Sequence, residues 1–218
     1  MNRVRVKVCG ITNKEDIEAA VGAGVDALGF VVEVPESPRN ISIDRARRLI
    51  EAIPPFVQGV VVSVFKSLAH LETLCSSVAP DAVQIAGALP NAHAVCGRLR
   101  GVRVIRTVAV NERTVPDASL RAAARCDAVL TDTAVLGAHG GTGTPHNWAV
   151  SRTIREVIAP TPLILAGGLT AANVRAAIEI VRPYAVDVSS GVEIRPGIKD
   201  HAKIRAFMEA VKEAQDGL

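Results

Sequence analysis

The chain reads as an α/β protein, a single (β/α)8 (TIM) barrel over residues 1–218. Three observations predict this fold. Eight short β-branched runs alternate with stretches of helical spacing, at fewer than roughly 30 residues per β/α pair. Hydrophobic residues make up 49% of the chain and aromatics only 3%. The core is therefore built from Val, Ile, Leu and Ala, which suits parallel strands buried on both faces. An open doubly wound sheet uses about five or six strands and would leave two runs unassigned.

The elements follow in order. The first run, 4–9, places Val6 and Val8 on one face and stops at Cys9-Gly10. Thr12 and Glu15 then have capping-box spacing, opening a helix over 14–23. Further strands are expected at 27–32, 57–64, 82–85, 102–108, 128–132, 163–166 and 185–188. The helices between and after them are expected at 43–52, 68–77, 92–99, 118–124, 148–158, 171–181 and 203–214. Ile204, Phe207, Met208 and Val211 give the last helix one apolar stripe. A weak internal echo supports repetition. Asp26-Ala27, Asp81-Ala82 and Asp127-Ala128 each open a strand, and Tyr184-Ala185 holds the same place before the last. These pairs read as turns that enter strands, structural rather than chemical.

The bulk numbers narrow the function. A net charge of +3, from 25 basic and 22 acidic residues, shows no clustered basic footprint for nucleic acid. No apolar run approaches a membrane span and no leader is visible, so a cytoplasmic protein with no membrane partner is expected. Cys9, Cys75, Cys96 and Cys126 form no CxxC pair and are expected to be reduced thiols. The histidines, His70, His93, His139, His146 and His201, show no ligand spacing, so no metal or cofactor is assigned. His139 and His146 are expected as solvated loop residues.

In a barrel, ligands bind at the carboxyl ends of the strands. Cys9 ends the first strand, where a thiol can meet substrate, although free cysteine also serves as a small buried hydrophobe. Asp132 ends the sixth, at the mouth or in a capping turn. Asp187 interrupts Val186 and Val188, so it faces the mouth or pairs with a cation. Ala166-Gly167-Gly168-Leu169-Thr170 and Ser189-Ser190-Gly191 follow the seventh and eighth strands. Barrels of this kind commonly bind phosphate at those two loops, because backbone N–H groups there can approach an anion. Gly140-Gly141-Thr142-Gly143 is a possible active-site loop or a plain turn. Arg39, after Ser37-Pro38, pairs with a carboxylate or lies on the surface.

Together these segments resemble one family nearly end to end. The carriers are Lys7-Val8-Cys9-Gly10-Ile11-Thr12, Gly29-Phe30, Ser37-Pro38-Arg39, Asp132-Thr133, the loop at 140–143, and Trp148. They continue through Leu165-Ala166-Gly167-Gly168-Leu169, Asn173-Val174, Asp187-Val188-Ser189-Ser190-Gly191-Val192-Glu193, Pro196-Gly197 and Lys199-Asp200. The family is phosphoribosylanthranilate isomerase. The resemblance implies an isomerase of tryptophan biosynthesis, without cofactor or metal. It acts on a small phosphorylated substrate by an acid–base Amadori rearrangement, as a monomer or homodimer. It also implies Cys9 as general base and Asp132 as general acid. Arg39 would hold the anthranilate carboxylate and Asp187 would lie near the anthranilate nitrogen. Gly141, Gly167, Gly168, Ser190 and Gly191 would bind substrate, the last four as the phosphate cradle. Acting at neutral pH requires a lowered thiol pKa and a raised carboxyl pKa.

The sequence departs from the family pattern twice. Ala86 stands where a histidine is usual, and His146-Asn147 where Phe-Asp is usual. The lost aspartate reads as a helix cap that Asn147 can replace. The departures at Ala86 and His146 keep in view a paralogue acting on another ribosylamine phosphate. A non-catalytic barrel that binds phosphate ligands is the other alternative, against which the presence of both Cys9 and Asp132 argues.

Overall fold

The computed structural model describes residues 3–87, 95, 97–99, 101–111, 125–133 and 145–216. Eight parallel strands form its centre: β1 (Arg5–Cys9), β2 (Ala27–Val32), β3 (Gln58–Val64), β4 (Ala82–Ala86), β5 (Arg103–Val110), β6 (Ala128–Thr133), β7 (Leu163–Leu165) and β8 (Ala185–Val188). Each pairs with its sequence neighbours, and β1 pairs with both β2 and β8, closing the barrel. A two-residue strand, Asn40–Ile41, adds to the outer end of β2.

Helices alternate with the strands: α1 (Lys14–Gly22), α2 (Ile43–Glu51), α3 (Leu68–Val78), α4 (Trp148–Ile158), α5 (Val174–Val181) and α6 (His201–Asp216). The helices expected at 92–99 and 118–124 lie outside the described residues, apart from isolated positions. Each other expected helix is present; the one at 148–158 has the expected bounds, and no end of the others moves by more than three residues.

Strand alternation sorts the core into two layers. Val6, Val8, Leu28, Val61, Val83, Val129, Leu165 and Val186 face outward onto the helices. Val60, Ala82, Ile105, Ala128, Leu130, Ile164 and Ala185 fill the barrel interior. Small and branched side chains suffice there, which is why so few aromatics are needed.

The Asp-Ala echo has a physical meaning. The Asp26 carboxylate accepts from Val6 N at 2.8 Å, Asp81 from Gly59 N at 2.7 Å, and Asp127 from Val104 N at 2.7 Å. Each aspartate opening an even strand satisfies an amide near the start of the preceding odd strand. Tyr184 takes another role, with the Arg5 guanidinium 4.3 Å from its ring centre.

Two local expectations need correction. The cap of α1 is Asn13, whose Oδ1 accepts from Asp16 N at 2.8 Å. Thr12 instead donates its hydroxyl to the Gly197 carbonyl at 2.6 Å, a contact no local motif reveals. Cys9 and Cys75 are free thiols, but Cys126 is disulfide-bonded. Sequence separation hides such proximity, so the expectation of reduced thiols fails there. No helix among the described residues is long and apolar enough to cross a membrane.

Candidate active site

Alternation along β1 turns Lys7 and Cys9 into the barrel, opposite Val6 and Val8. The same rule turns Asp187 inward on β8 and Asp132 inward at the end of β6. The β1–β8 register sets Lys7 directly beside Asp187, and their side chains form a buried ion pair at 2.9 Å. The Lys7 ammonium is also near enough to the Cys9 thiol to favour its charged form. Gly29 lies opposite Cys9 on β2. A Cβ there would come within 2.8 Å of Cys9 Sγ and 3.0 Å of Lys7 Nζ, so glycine makes the room.

These groups share one electrostatic setting. Burial pushes the Cys9 thiol up, Lys7 pulls it back, and Asp187 adds to the rise; the net is raised. Burial acts to lower Lys7, but the charges of Asp187 and Cys9 outweigh it and leave it raised. Asp132 rises to about 6, first through burial and then through the nearby Asp187 charge. The Thr133 amide and Lys7 oppose that rise. The carboxyl thus has the character expected of it. The thiol does not, because desolvation at the end of a closed barrel outweighs its cation.

Arg39 is buried, and Glu193 grips it on one edge, Nε to Oε1 at 2.9 Å and Nη2 to Oε2 at 2.6 Å. Lys199, also buried, donates to Glu193 Oε1 at 2.9 Å and to the carbonyls of Cys9 and Ser189. Burial lowers its pKa against the pull of Glu193. This cluster pins the turn after β1 to the one after β8. Gly167 and Gly168 follow β7, and Ser190 and Gly191 lie in a short 3-10 turn, Ser190–Val192, after β8. The two loops touch: a Cβ on Gly191 would lie 2.0 Å from the Leu169 carbonyl oxygen. Asn173 laces the first loop, accepting from Thr170 N and donating to the Gly168 carbonyl.

Cys9, Asp132, Asp187, Arg39 and the two small-residue loops therefore gather at the carboxyl ends of the strands. Gly141, with the rest of its loop and His139, lies outside the described residues. His146 is not a solvated loop residue. It is half-buried and bonded through both ring nitrogens, to Thr133 and Ser151. Asn147 does cap α4, accepting from Ala149 N at 3.0 Å.

The residues missed as site candidates are Lys7, Glu193 and Lys199. Lys7 carried a readable signal: a charge two positions before Cys9, and so on the same inward face. A separate cavity of about 750 Å³ opens at the opposite end of the barrel, lined by Val4, Pro160, Leu163, Pro183 and Tyr184. None of the candidate side chains reaches it. Among the described residues no three His, Cys, Asp or Glu converge as a metal-binding group.

Fold and mouth together define the class, a (β/α)8 barrel with a thiol and a raised carboxyl set around a buried ion pair. Residues 6–210 match the family model of N-(5'-phosphoribosyl)anthranilate (PRA) isomerase. The chain is 44% identical over 217 residues to N-(5'-phosphoribosyl)anthranilate isomerase of Halobacterium salinarum, covering 97% of each chain. It is similar to the crystal structure of phosphoribosyl anthranilate isomerase from Thermotoga maritima, with a TM-score of 0.82 and 40% identity over 96% of this chain and 99% of that one. Another solved phosphoribosyl anthranilate isomerase, holding reduced 1-(o-carboxyphenylamino)-1-deoxyribulose 5-phosphate, superposes with a TM-score of 0.79. It is 39% identical over 96% of this chain and 99% of that one. The chain belongs to the N-(5'-phosphoribosyl)anthranilate isomerase family.

Proposed function

We infer that this protein converts N-(5-phosphoribosyl)anthranilate to 1-(2-carboxyphenylamino)-1-deoxyribulose 5-phosphate, with Cys9 and Asp132 as its base and acid. The observation that carries the assignment of roles is the inward-facing thiol and carboxyl around the Lys7–Asp187 pair. Protonated Asp132 donates to the ribose ring oxygen, and the ring C–O bond breaks to leave an iminium at C1. Cys9 then takes the proton from C2, and the C2–H bonding pair becomes the C1–C2 double bond of an enolamine. Proton shift from the C2 hydroxyl to C1 gives the ketone, so the reaction is an isomerisation with no co-reactant.

The raised thiol and the carboxyl near 6 make the reactive form a minor one at neutral pH. The step starts from that form, in which the single proton sits on Asp132 and Cys9 is the thiolate. The iminium formed by ring opening brings a positive charge beside Cys9, which favours the thiolate at the step that uses it. Glu193 holds the Nε–Nη2 edge of Arg39, and the opposite edge is assigned to the substrate carboxylate. Asp187 is assigned to the anthranilate nitrogen. The loops of Gly167, Gly168, Ser190 and Gly191 are assigned to the phosphate, and Gly141 to the substrate.

The whole of residues 1–218 is proposed as one catalytic domain in the cytoplasm, as a monomer or homodimer; analytical ultracentrifugation decides between those two states. Growth of a tryptophan auxotroph lacking this isomerase is the test of function. Soluble, folded protein that fails both to restore growth and to turn over freshly generated N-(5-phosphoribosyl)anthranilate overturns the reading.

A further inference from the structure

A chain of side-chain hydrogen bonds runs behind Asp132 and takes part in none of the roles assigned above. Thr131, Asp132 and Thr133 are consecutive on β6, so the two threonines face α4 while Asp132 faces the barrel interior. Ser151, in the first turns of α4, donates its hydroxyl to Thr131 Oγ1 at 3.0 Å, and both residues are wholly buried. His146, just before the helix, lies 2.6 Å from Ser151 Oγ through Nε2 and 3.2 Å from Thr133 Oγ1 through Nδ1. A neutral imidazole meets the two hydroxyls with one donor and one acceptor nitrogen. The Thr133 backbone N–H in turn donates to Asp132 Oδ1 at 2.8 Å. Gly167 closes on the same spot: a Cβ there would lie 2.4 Å from Thr133 Oγ1 and 3.2 Å from Asp132 Oδ1.

We propose that His146 is a positioning residue: by tying Thr133 to α4 it holds the Thr133 amide on the Asp132 carboxyl and fixes the direction in which that carboxyl presents its proton. This inference rests on the reading of Asp132 as the general acid. A neutral imidazole suits the task. It supplies one donor and one acceptor on a rigid ring that spans two hydroxyls on different elements. Burial lowers its pKa to about 4, so it stays neutral wherever the carboxyl of Asp132 titrates. Among the described residues the charged groups facing Asp132 are Asp187 and Lys7. A neutral His146 adds no charge to them and acts through geometry.

The test compares purified wild type with His146→Phe, His146→Asn, His146→Gln, Thr133→Val and the His146→Phe/Thr133→Val double variant. It reads kcat, KM, the pH profile of kcat/KM, and Tm. Phe keeps the ring and removes both nitrogens. Asn reaches the Nδ1 position and keeps an acceptor for Thr133. Gln reaches the Nε2 position and keeps only the Ser151 contact.

Positioning predicts that Phe and Gln lower kcat about tenfold with KM within about twofold, the pattern of a small misalignment. Asn retains most of the rate, Thr133→Val matches Phe, and the double variant is no worse than either single. Loosening the Thr133 amide removes a bond that favours the carboxylate, so the limb of the profile near pH 6 moves upward in the Phe variant.

A folded Phe variant with wild-type kcat and pH profile overturns the proposal. So does Gln retaining the rate that Asn loses, or an additive double variant. Changes in Tm alone would mark His146 as a mere fastening of α4 and also overturn it. If the Phe variant does not fold, Thr133→Val, the smaller change, decides by the same readouts. Asp132→Asn separates the two levels. Full turnover in that variant refutes the acid assignment itself, whereas loss there with an unaffected Phe variant refutes positioning alone.

Discussion

Asp132 should make the protein less stable than it could be. Its carboxyl titrates at about 6 in the fold, against 3.8 for the ordinary group, chiefly because of burial. That gap of about 2.2 pH units corresponds to about 3 kcal/mol. The folded-state pKa is raised, so the native state holds this proton more tightly than the unfolded chain does. The resulting contribution is fully present below about pH 3.8 and lost as pH rises through about 6. At pH 7.5 the protein therefore carries a desolvated carboxylate. Asp132→Asn keeps the shape and removes the charge. It should be more stable than wild type by up to about 3 kcal/mol at pH 7.5, narrowing to about 1 kcal/mol at pH 4.5. For a chain of this length the larger figure raises Tm by about 6–12 °C. Calorimetric or fluorescence melting of both proteins at the two pH values measures it, and the comparison cancels the other titrating groups. An Asn variant no more stable at pH 7.5, or a gap that fails to shrink at pH 4.5, refutes the reasoning.

The same variant and Cys9→Ala should each lose about 100-fold or more in turnover while staying folded, as the loss of an acid or base predicts; steady-state assay beside circular dichroism checks both. In wild type the active form carries one proton over Asp132 and Cys9 together, so kcat/KM should rise with pH through about 6 as the doubly protonated site loses its first proton, and fall again above the ordinary thiol range. The lower limb should vanish in Asp132→Asn, and its persistence there assigns it to another group. Arg39→Ala should raise KM for the carboxylate-bearing substrate by about tenfold or more with a smaller change in kcat, and an unchanged KM removes the proposed clamp. Gly191→Ala must push the Leu169 carbonyl away, so it should weaken inhibition by inorganic phosphate and cost about 1–3 kcal/mol of stability. Phosphate inhibition as strong as in wild type contradicts the cradle.

Much of this molecule was legible from local pattern. Alternation of period two places Val6 and Val8 on one side of β1 and Lys7 and Cys9 on the other, and it does the same for Asp187 and Asp132 in their strands. Strand ends and turn glycines then identify the mouth, because all eight parallel strands point one way. The Asp-Ala echo marked real strand entries, and Asn147 showed itself as a cap. These features depend on residues a few positions apart, whose relation the backbone geometry dictates.

What the sequence by itself determined is thus the barrel, its mouth and the members of the candidate acid–base pair. Only the tertiary structure decided their chemistry. Lys7 meets Asp187 across 180 positions, Arg39 meets Glu193 across 154, and His146 lies bonded rather than solvated. Burial sets the Asp132 carboxyl near 6 and lifts the Cys9 thiol. The physical reason is that a side chain's partners and its proton affinity depend on which distant groups share its low-dielectric surroundings, and chain spacing does not encode that distance.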